Sequence, residues 1–179
     1  MRYVAFLRAV NVGGRTVKMA ELAKHVSSQG FGNVSTFIAS GNVLFDAPGS
    51  DGDRHARRLE KSLEGWLGFP VAVMARTFPQ LEAMVASNPF KGELRERDAK
   101  LYVSFLWADP KATPKVPIVL AREGLKLFRL EGREAFGVSS RLPGGKFGVP
   151  DFEKLLGMPV TTRNWNTVRR ILDAEKLRG

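Results

Sequence analysis

The sequence predicts an α+β fold made of two tandem ferredoxin-like βαββαβ subdomains, with antiparallel sheets and helices packed on them. Three collinear internal matches carry that expectation. YVAFLRA (3–9) and YVSFLWA (102–108) agree at five of seven positions, at an offset of 99. FIASGNVLF (37–45) and FRLEGREAF (128–136) share Phe, Gly and Phe at four-residue spacing, at an offset of 91. LGFPV (67–71) and LGMPV (156–160) follow at an offset of 89, so the second copy has shorter connections.

Each element has its own signal. Residues 2–8 read as a strand. In 19–30, Met19, Leu22, Ala23 and Val26 recur at helical spacing, and Gly30 ends the helix. Strands at 34–39 and 42–46 flank the turn composition Ser40-Gly41-Asn42. Residues 53–67 form a second helix with Leu59, Leu63, Trp66 and Leu67 inward, and 71–76 a fourth strand. That order is the split βαβ pattern.

The second copy is expected to repeat it. Its strand covers 100–107, and its first helix is expected near 117–123, where Pro117 suits the opening turn. A hairpin over 125–130 and 134–138 turns at Glu131-Gly132, followed by a helix at 150–156 and a strand at 159–162. A helix trails each copy, at 78–87 and 164–176. The expected organisation is therefore a first repeat with its trailing helix in 1–88, a linker in 89–99 and a second repeat in 100–179. Loops 88–99 and 139–149 lack periodicity and are the expected flexible segments.

Composition narrows the chemistry. The 179 residues include no cysteine, which excludes disulfides, thiolate catalysis, zinc fingers and iron–sulfur clusters. His25 and His55 lie on different helices, without metal-binding spacing, so no metal and no cofactor is expected. His25 falls off the apolar face of its helix and is expected to be exposed; His55 is expected to pack; Glu21 is a candidate helix cap. No Ser-His-Asp set or carboxylate pair stands out, so no catalytic residue is assigned and enzymatic activity stays open. No apolar run reaches a membrane span, and MRYVAFLRAVNVGG is too interrupted for a signal peptide, so the expected location is the cytoplasm.

The formal net charge of +10 is spread along the chain; residues 1–30 alone carry five Lys/Arg against one acid. It reads either as a basic surface or as attraction to phosphate, on a small molecule, a nucleotide or a nucleic acid.

Polar features present in only one copy point to sites. Arg8, Asn11, Gly13, Gly14 and Arg15, with Lys18 at the following helix start, have Trp107 and Asp109-Pro110-Lys111 as counterparts. Adjacent glycines before a helix make an anion cradle, or a plain turn with solvated cations. Ser40 and Asn42 face Glu131 and Arg133 in the other copy; they shape a turn or line the same rim. In a βαββαβ sheet of order 4-1-3-2, strands one and two point the same way. The loop after strand one and the first hairpin then share one end. Arg163, Asn164 and Asn166, in TTRNWNT, cap a helix or hold an anion, and Trp165 reads as a packing residue.

RNA recognition modules share the element order but display stacking aromatics on strands one and three. Here strand three, Asn42-Val43-Leu44-Phe45, lacks that pattern, and strand one is apolar on both faces.

RAVNVGG (8–14), SGNVLF (40–45) and TTRNWNTV (161–168) resemble the three signatures of the bacterial family called domain of unknown function 1697. The resemblance spans essentially the whole chain, and implies a duplicated ferredoxin-like fold and no established activity. Ala9 stands where the family pattern has Gly. The functional expectation is binding of a small anionic, phosphate-bearing ligand. Sequence-independent nucleic-acid binding and a protein-interaction module without ligand chemistry are the alternatives. No membrane partner is expected, and the oligomeric state is left open.

Overall fold

A computed structural model of the chain describes residues 1–14, 16–92, 99–148 and 150–177. It is an α+β fold with two antiparallel sheets and five helices. Met1–Leu81 and Glu82–Gly179 are separate compact units.

The first unit runs β1 (Arg2–Leu7), α1 (Met19–Ser28), β2 (Gly32–Thr36), β3 (Asn42–Asp46), α2 (Gly52–Leu67) and β4 (Val73–Thr77), then enters α3 (Phe78–Ala86). Its strand order is β2-β3-β1-β4, all neighbours antiparallel. The helices form where apolar spacing and end signals agree. Asp51 caps α2 by accepting from the Arg54 N–H at 2.9 Å, and Gly68, at φ 75°, ends it. Leu22 and Val26 of α1, with Ala56, Leu59 and Leu63 of α2, pack with Tyr3, Ala5 and Leu7 of β1. Val4 and Phe6, on the opposite face of β1, are also fully buried, so this sheet offers no open stacking platform. His55 is buried as expected, edge-on to Tyr3 and hydrogen-bonded to the Pro48 carbonyl at 3.0 Å.

Two expectations for α2 and α1 fail together. Trp66 is not inward but 38% exposed, because the buried face of α2 is set by His55, Ala56, Leu59 and Leu63. His25 is not exposed but half-buried. Its ring stacks on Trp66, centroids 4.5 Å apart, and its Nε2 meets Ser62 Oγ at 2.6 Å.

The second unit runs β5 (Lys100–Leu106), β6 (Ile118–Leu120), a 3₁₀ turn (Ala121–Glu123), β7 (Leu125–Glu131), β8 (Glu134–Ser139), α4 (Glu153–Leu156), β9 (Val160–Asn164) and α5 (Trp165–Lys176). Its sheet order is β6-β7-β8-β5-β9. The helix expected at 117–123 is absent. Its three consecutive branched residues alternate half-buried, exposed and half-buried, a strand period, and pair with β7 as an added edge. Seven residues before Gly124 also leave too little length for a helix.

Two connecting segments are more structured than their composition suggests. Phe90, in the expected linker, is buried and packs on Phe128, Phe136 and Trp165, with centroids 5.0 to 5.8 Å away. Residues 93–98 of that linker lie outside the described residues. Within the expected loop 139–149, residues 141–147 form a small hairpin: Arg141 bridges Phe147, and the Leu142 N–H donates to the Lys146 carbonyl at 2.7 Å. Among the described residues, no helix is long and apolar enough to cross a membrane.

Candidate functional site

In the first unit the β1–α1 loop and the β2–β3 hairpin meet at one end of the sheet. The Leu7 N–H donates to the Gly41 carbonyl at 2.8 Å. Asn11 ties the two segments from its side chain. Its Nδ2 donates to the Ala39 carbonyl at 3.1 Å, and its Oδ1 accepts from the Val17 N–H at 2.6 Å. Asn42 is fully buried, and its Nδ2 donates to Ser40 Oγ at 2.8 Å and to the Phe37 carbonyl at 2.9 Å. Asn42 and Ser40 therefore set the shape of the hairpin, with Ser40 half-buried at its tip. The Arg8 N–H is held by the Ala72 carbonyl at 2.9 Å, which fixes where the half-buried Arg8 leaves the sheet.

The corner is built from unusual backbone. Of five non-glycine residues with positive φ among the described residues, Ala9 (55°), Asn11 (61°) and Ile38 (50°) all lie here. Gly13 (63°) and Gly14 (83°) share the conformation, and a Cβ on either would meet nothing within 4 Å. Asparagine tolerates this region; a β-branched residue in it is a true outlier, costing about 1–3 kcal/mol. Val12, 63% exposed, and Ile38, 44% exposed, hold apolar side chains in solvent at the same corner. This concentration of strain and exposed apolar surface was not legible beforehand, since Ala, Val and Ile carry no turn signal.

The loop leads into α1, whose N-cap is Lys18. Among the described residues, no side-chain hydrogen bond caps that helix end. Its first-turn N–H groups have no intrahelical partner and point toward the loop. Glu21 does not cap but pairs with Lys18 at 3.5 Å. Arg15 lies outside the described residues.

The second polar cluster sits where β9 passes into α5. Asn164 is the N-cap: its Oδ1 accepts from the Asn166 N–H at 2.9 Å, leaving the Asn166 side chain exposed. Arg163 is buried; its Nη1 donates to Thr161 Oγ1 at 2.8 Å and to the Thr162 carbonyl at 3.0 Å. Desolvation pulls its pKa from the ordinary guanidinium range down to about 10. Burial also raises the Tyr102 hydroxyl pKa, partly offset by a hydrogen bond from Asn164. Trp165 is buried against Phe90. Capping and the bond to Tyr102 engage Asn164, packing engages Trp165, and Arg163 holds a cation in a dry site.

No group of three or more His, Asp or Glu among the described residues is arranged to hold a metal ion.

The structure is similar to "conserved bacterial protein SP0830 from Streptococcus pneumoniae", with a TM-score of 0.66 and 23% identity over 98% of each chain. At that identity the likeness speaks for the fold alone. No curated protein matches the sequence. Residues 1–136 match the family described as "Protein of unknown function (DUF1697)", a span that includes both RAVNVGG and SGNVLF. Because that match covers most of the chain, the protein belongs to the DUF1697 family.

Proposed function

We propose that the chain binds a small anionic, phosphate-bearing ligand at the β1–α1 corner of the first unit. The observation that carries this reading is the uncapped α1 N-terminus behind an open two-glycine loop. Backbone N–H groups and the helix dipole would receive the anion. Arg8 and Lys18 would add charge, and Asn11 would hold the loop in place. Val12 and Ile38 would give the uncharged part of the ligand an apolar rim. Arg163, Asn164 and Asn166 form the second candidate anion cluster, weaker because Asn164 is already engaged as a cap.

Thermal shift with inorganic phosphate, pyrophosphate and nucleotides tests the reading. Ligand at about ten times its Kd should add roughly 1.4 kcal/mol of stability. Arg8→Ala should remove most of that increment. If no anion stabilises the wild type, or if Arg8→Ala responds equally, the corner is not the site.

The same proposal treats both units as copies of one ferredoxin-like motif. Its support is the order β2-β3-β1-β4, which recurs as β7-β8-β5-β9 with β6 added outside. A sequence-independent nucleic-acid interaction is the second reading, favoured by the net charge of +10. It predicts affinity that falls steeply with salt in gel shifts.

A further inference from the structure

An open groove of about 600 Å³ lies between the C-terminal end of α1 and residues 58–66 of α2, lined by His25, Gln29, Arg58, Lys61, Ser62, Gly65 and Trp66. Its lining includes two permanent cations and no acid. One wall is a fixed pair of flat rings, His25 on Trp66 with 9° between their planes, anchored by Ser62. Arg58 is fixed too, donating to the Gln29 carbonyl with its guanidinium over the Phe31 ring at 4.8 Å. A held guanidinium and held aromatic surface side by side lose little entropy on binding a ligand that needs both.

Gly65 adds an independent observation. It sits inside α2, where glycine costs about 1 kcal/mol relative to alanine. Nothing in the folded chain requires it, since a Cβ there would meet no atom within 4 Å. The residue lowers helix stability and leaves the groove floor bare beside Trp66. A bare floor suits an occupant that approaches the helix backbone closely.

We propose that this groove is a binding site for a nucleobase carrying a phosphate, distinct from the β1–α1 corner. The base lies against the His25–Trp66 wall over Gly65, and the phosphate is met by Lys61 and Arg58. Flat aromatic surface favours any base, because every base has a π-face. Cations in a lining that holds no acid favour its phosphate. Two sources supply this chemistry, a free nucleotide and single-stranded nucleic acid.

The test is equilibrium dialysis of the full chain against a labelled mononucleotide and, separately, a short oligonucleotide, with Trp fluorescence as a second readout. Gly65→Gln fills the floor with a better helix former, so it should raise Tm while weakening binding tenfold or more. Lys61→Glu should weaken binding similarly, and Trp66→Leu should abolish the fluorescence response. Binding of the mononucleotide, lost in these variants, supports the site with a free nucleotide as its ligand. Binding of the oligonucleotide alone, salt-sensitive and lost in the same variants, supports it with a nucleic-acid strand. Failure of both probes to bind at about 1 mM, or binding that survives Gly65→Gln and Lys61→Glu, overturns it. The groove variants are therefore read in the Arg8→Ala background, where the proposed corner site is disabled, so that binding that remains there and is lost with Gly65→Gln or Lys61→Glu belongs to the groove, and binding that they do not change overturns it.

Discussion

At the corner of the first unit the Leu7 N–H meets the Gly41 carbonyl at 2.8 Å; in the second unit the Leu106 N–H meets the Arg133 carbonyl at 2.9 Å. The same backbone contact thus joins the exit of a central strand to the tip of a hairpin in both. Around it the side chains differ. The first corner is tied by the Asn11 amide and shaped by the buried Asn42. The second is tied on the surface by Arg133, which grips Asp109 through Nε at 3.0 Å and Nη2 at 2.8 Å. One corner is closed by a matched ion pair; the other is held by neutral groups and strained backbone. The difference supports the site proposed at the first corner, because a scaffold needs only the simpler arrangement of the second.

The glycines at the two hairpin tips give the largest expected contrast. Gly41 has φ 70°, and a Cβ there would lie 3.1 Å from Leu7 Cβ and 3.3 Å from the Leu7 carbonyl oxygen. Gly132 has φ 54°, and its nearest contact would be Glu134 Oε2 at 3.9 Å. Gly132→Ala should cost only the left-handed penalty, about 1–2 kcal/mol. Gly41→Ala adds crowding against backbone, for a total of about 3 kcal/mol. Urea unfolding of both variants checks this. Equal losses would mean that the first corner is no tighter than the second.

The polar anchors should follow in the same direction. Asn42→Ala removes the bonds from a fully buried amide to Ser40 Oγ and to the Phe37 carbonyl, costing about 2 kcal/mol. Arg133→Ala removes an exposed pair and should cost less than about 1 kcal/mol.

The legibility of these features in the sequence was uneven, for physical reasons. β3 falls on Asn42–Asp46 and α2 begins one residue before its expected start, because a turn composition beside a short apolar run, an Asp cap and a Gly stop all act locally. The hairpin's position was readable from Ser40-Gly41-Asn42, but its length was not. β2 stops at Thr36, and Phe37 to Gly41 form the turn, closed by the Phe37 N–H on the Asn42 carbonyl. β6 was missed because a three-residue edge strand has too little pattern to separate it from a helical turn. The strain at Ala9 and Ile38 was missed because only the surrounding fold imposes it. Of the candidate residues, the topology brings Asn11 to the hairpin that carries Ser40 and Asn42, as the strand order required. It also gives Asn164 a capping role that its residue type already offered.

Ala9 and its counterpart Ala108 sharpen the comparison further. Ala9 has φ 55°, whereas Ala108 is not among the residues with positive φ. Glycine at position 9 relieves about 1–2 kcal/mol of left-handed strain against roughly 0.5–1 kcal/mol of added chain entropy. Ala9→Gly should therefore stabilise by about 0.5 kcal/mol or slightly more, and Ala108→Gly should destabilise by a similar amount. Opposite signs in paired denaturation curves are the expected result; a shared sign would show that the two loops leave their sheets in the same way.

The smallest effect discriminates by its salt dependence rather than its size. Asp109 is 77% exposed at its side chain, so its pair with Arg133 is screened and contributes a few tenths of a kcal/mol. Asp109→Asn should lower stability by that amount in dilute buffer and by nothing measurable in about 1 M salt, where the Debye length is near 3 Å. At the first corner Asn11 already is the neutral tie, and its two bonds join main-chain atoms. Asn11→Ala should therefore cost about 1–2 kcal/mol at either ionic strength. Asn11→Asp keeps the acceptor for Val17 but loses the donor to Ala39, and it places a negative charge beside the uncapped end of α1. That charge should improve the helix dipole term by about 0.3–1 kcal/mol in dilute buffer while removing any phosphate response. A variant that keeps most of its fold stability yet no longer responds to phosphate would separate the corner's binding role from its structural one; a phosphate response that survives Asn11→Asp would return this corner to the status of a turn.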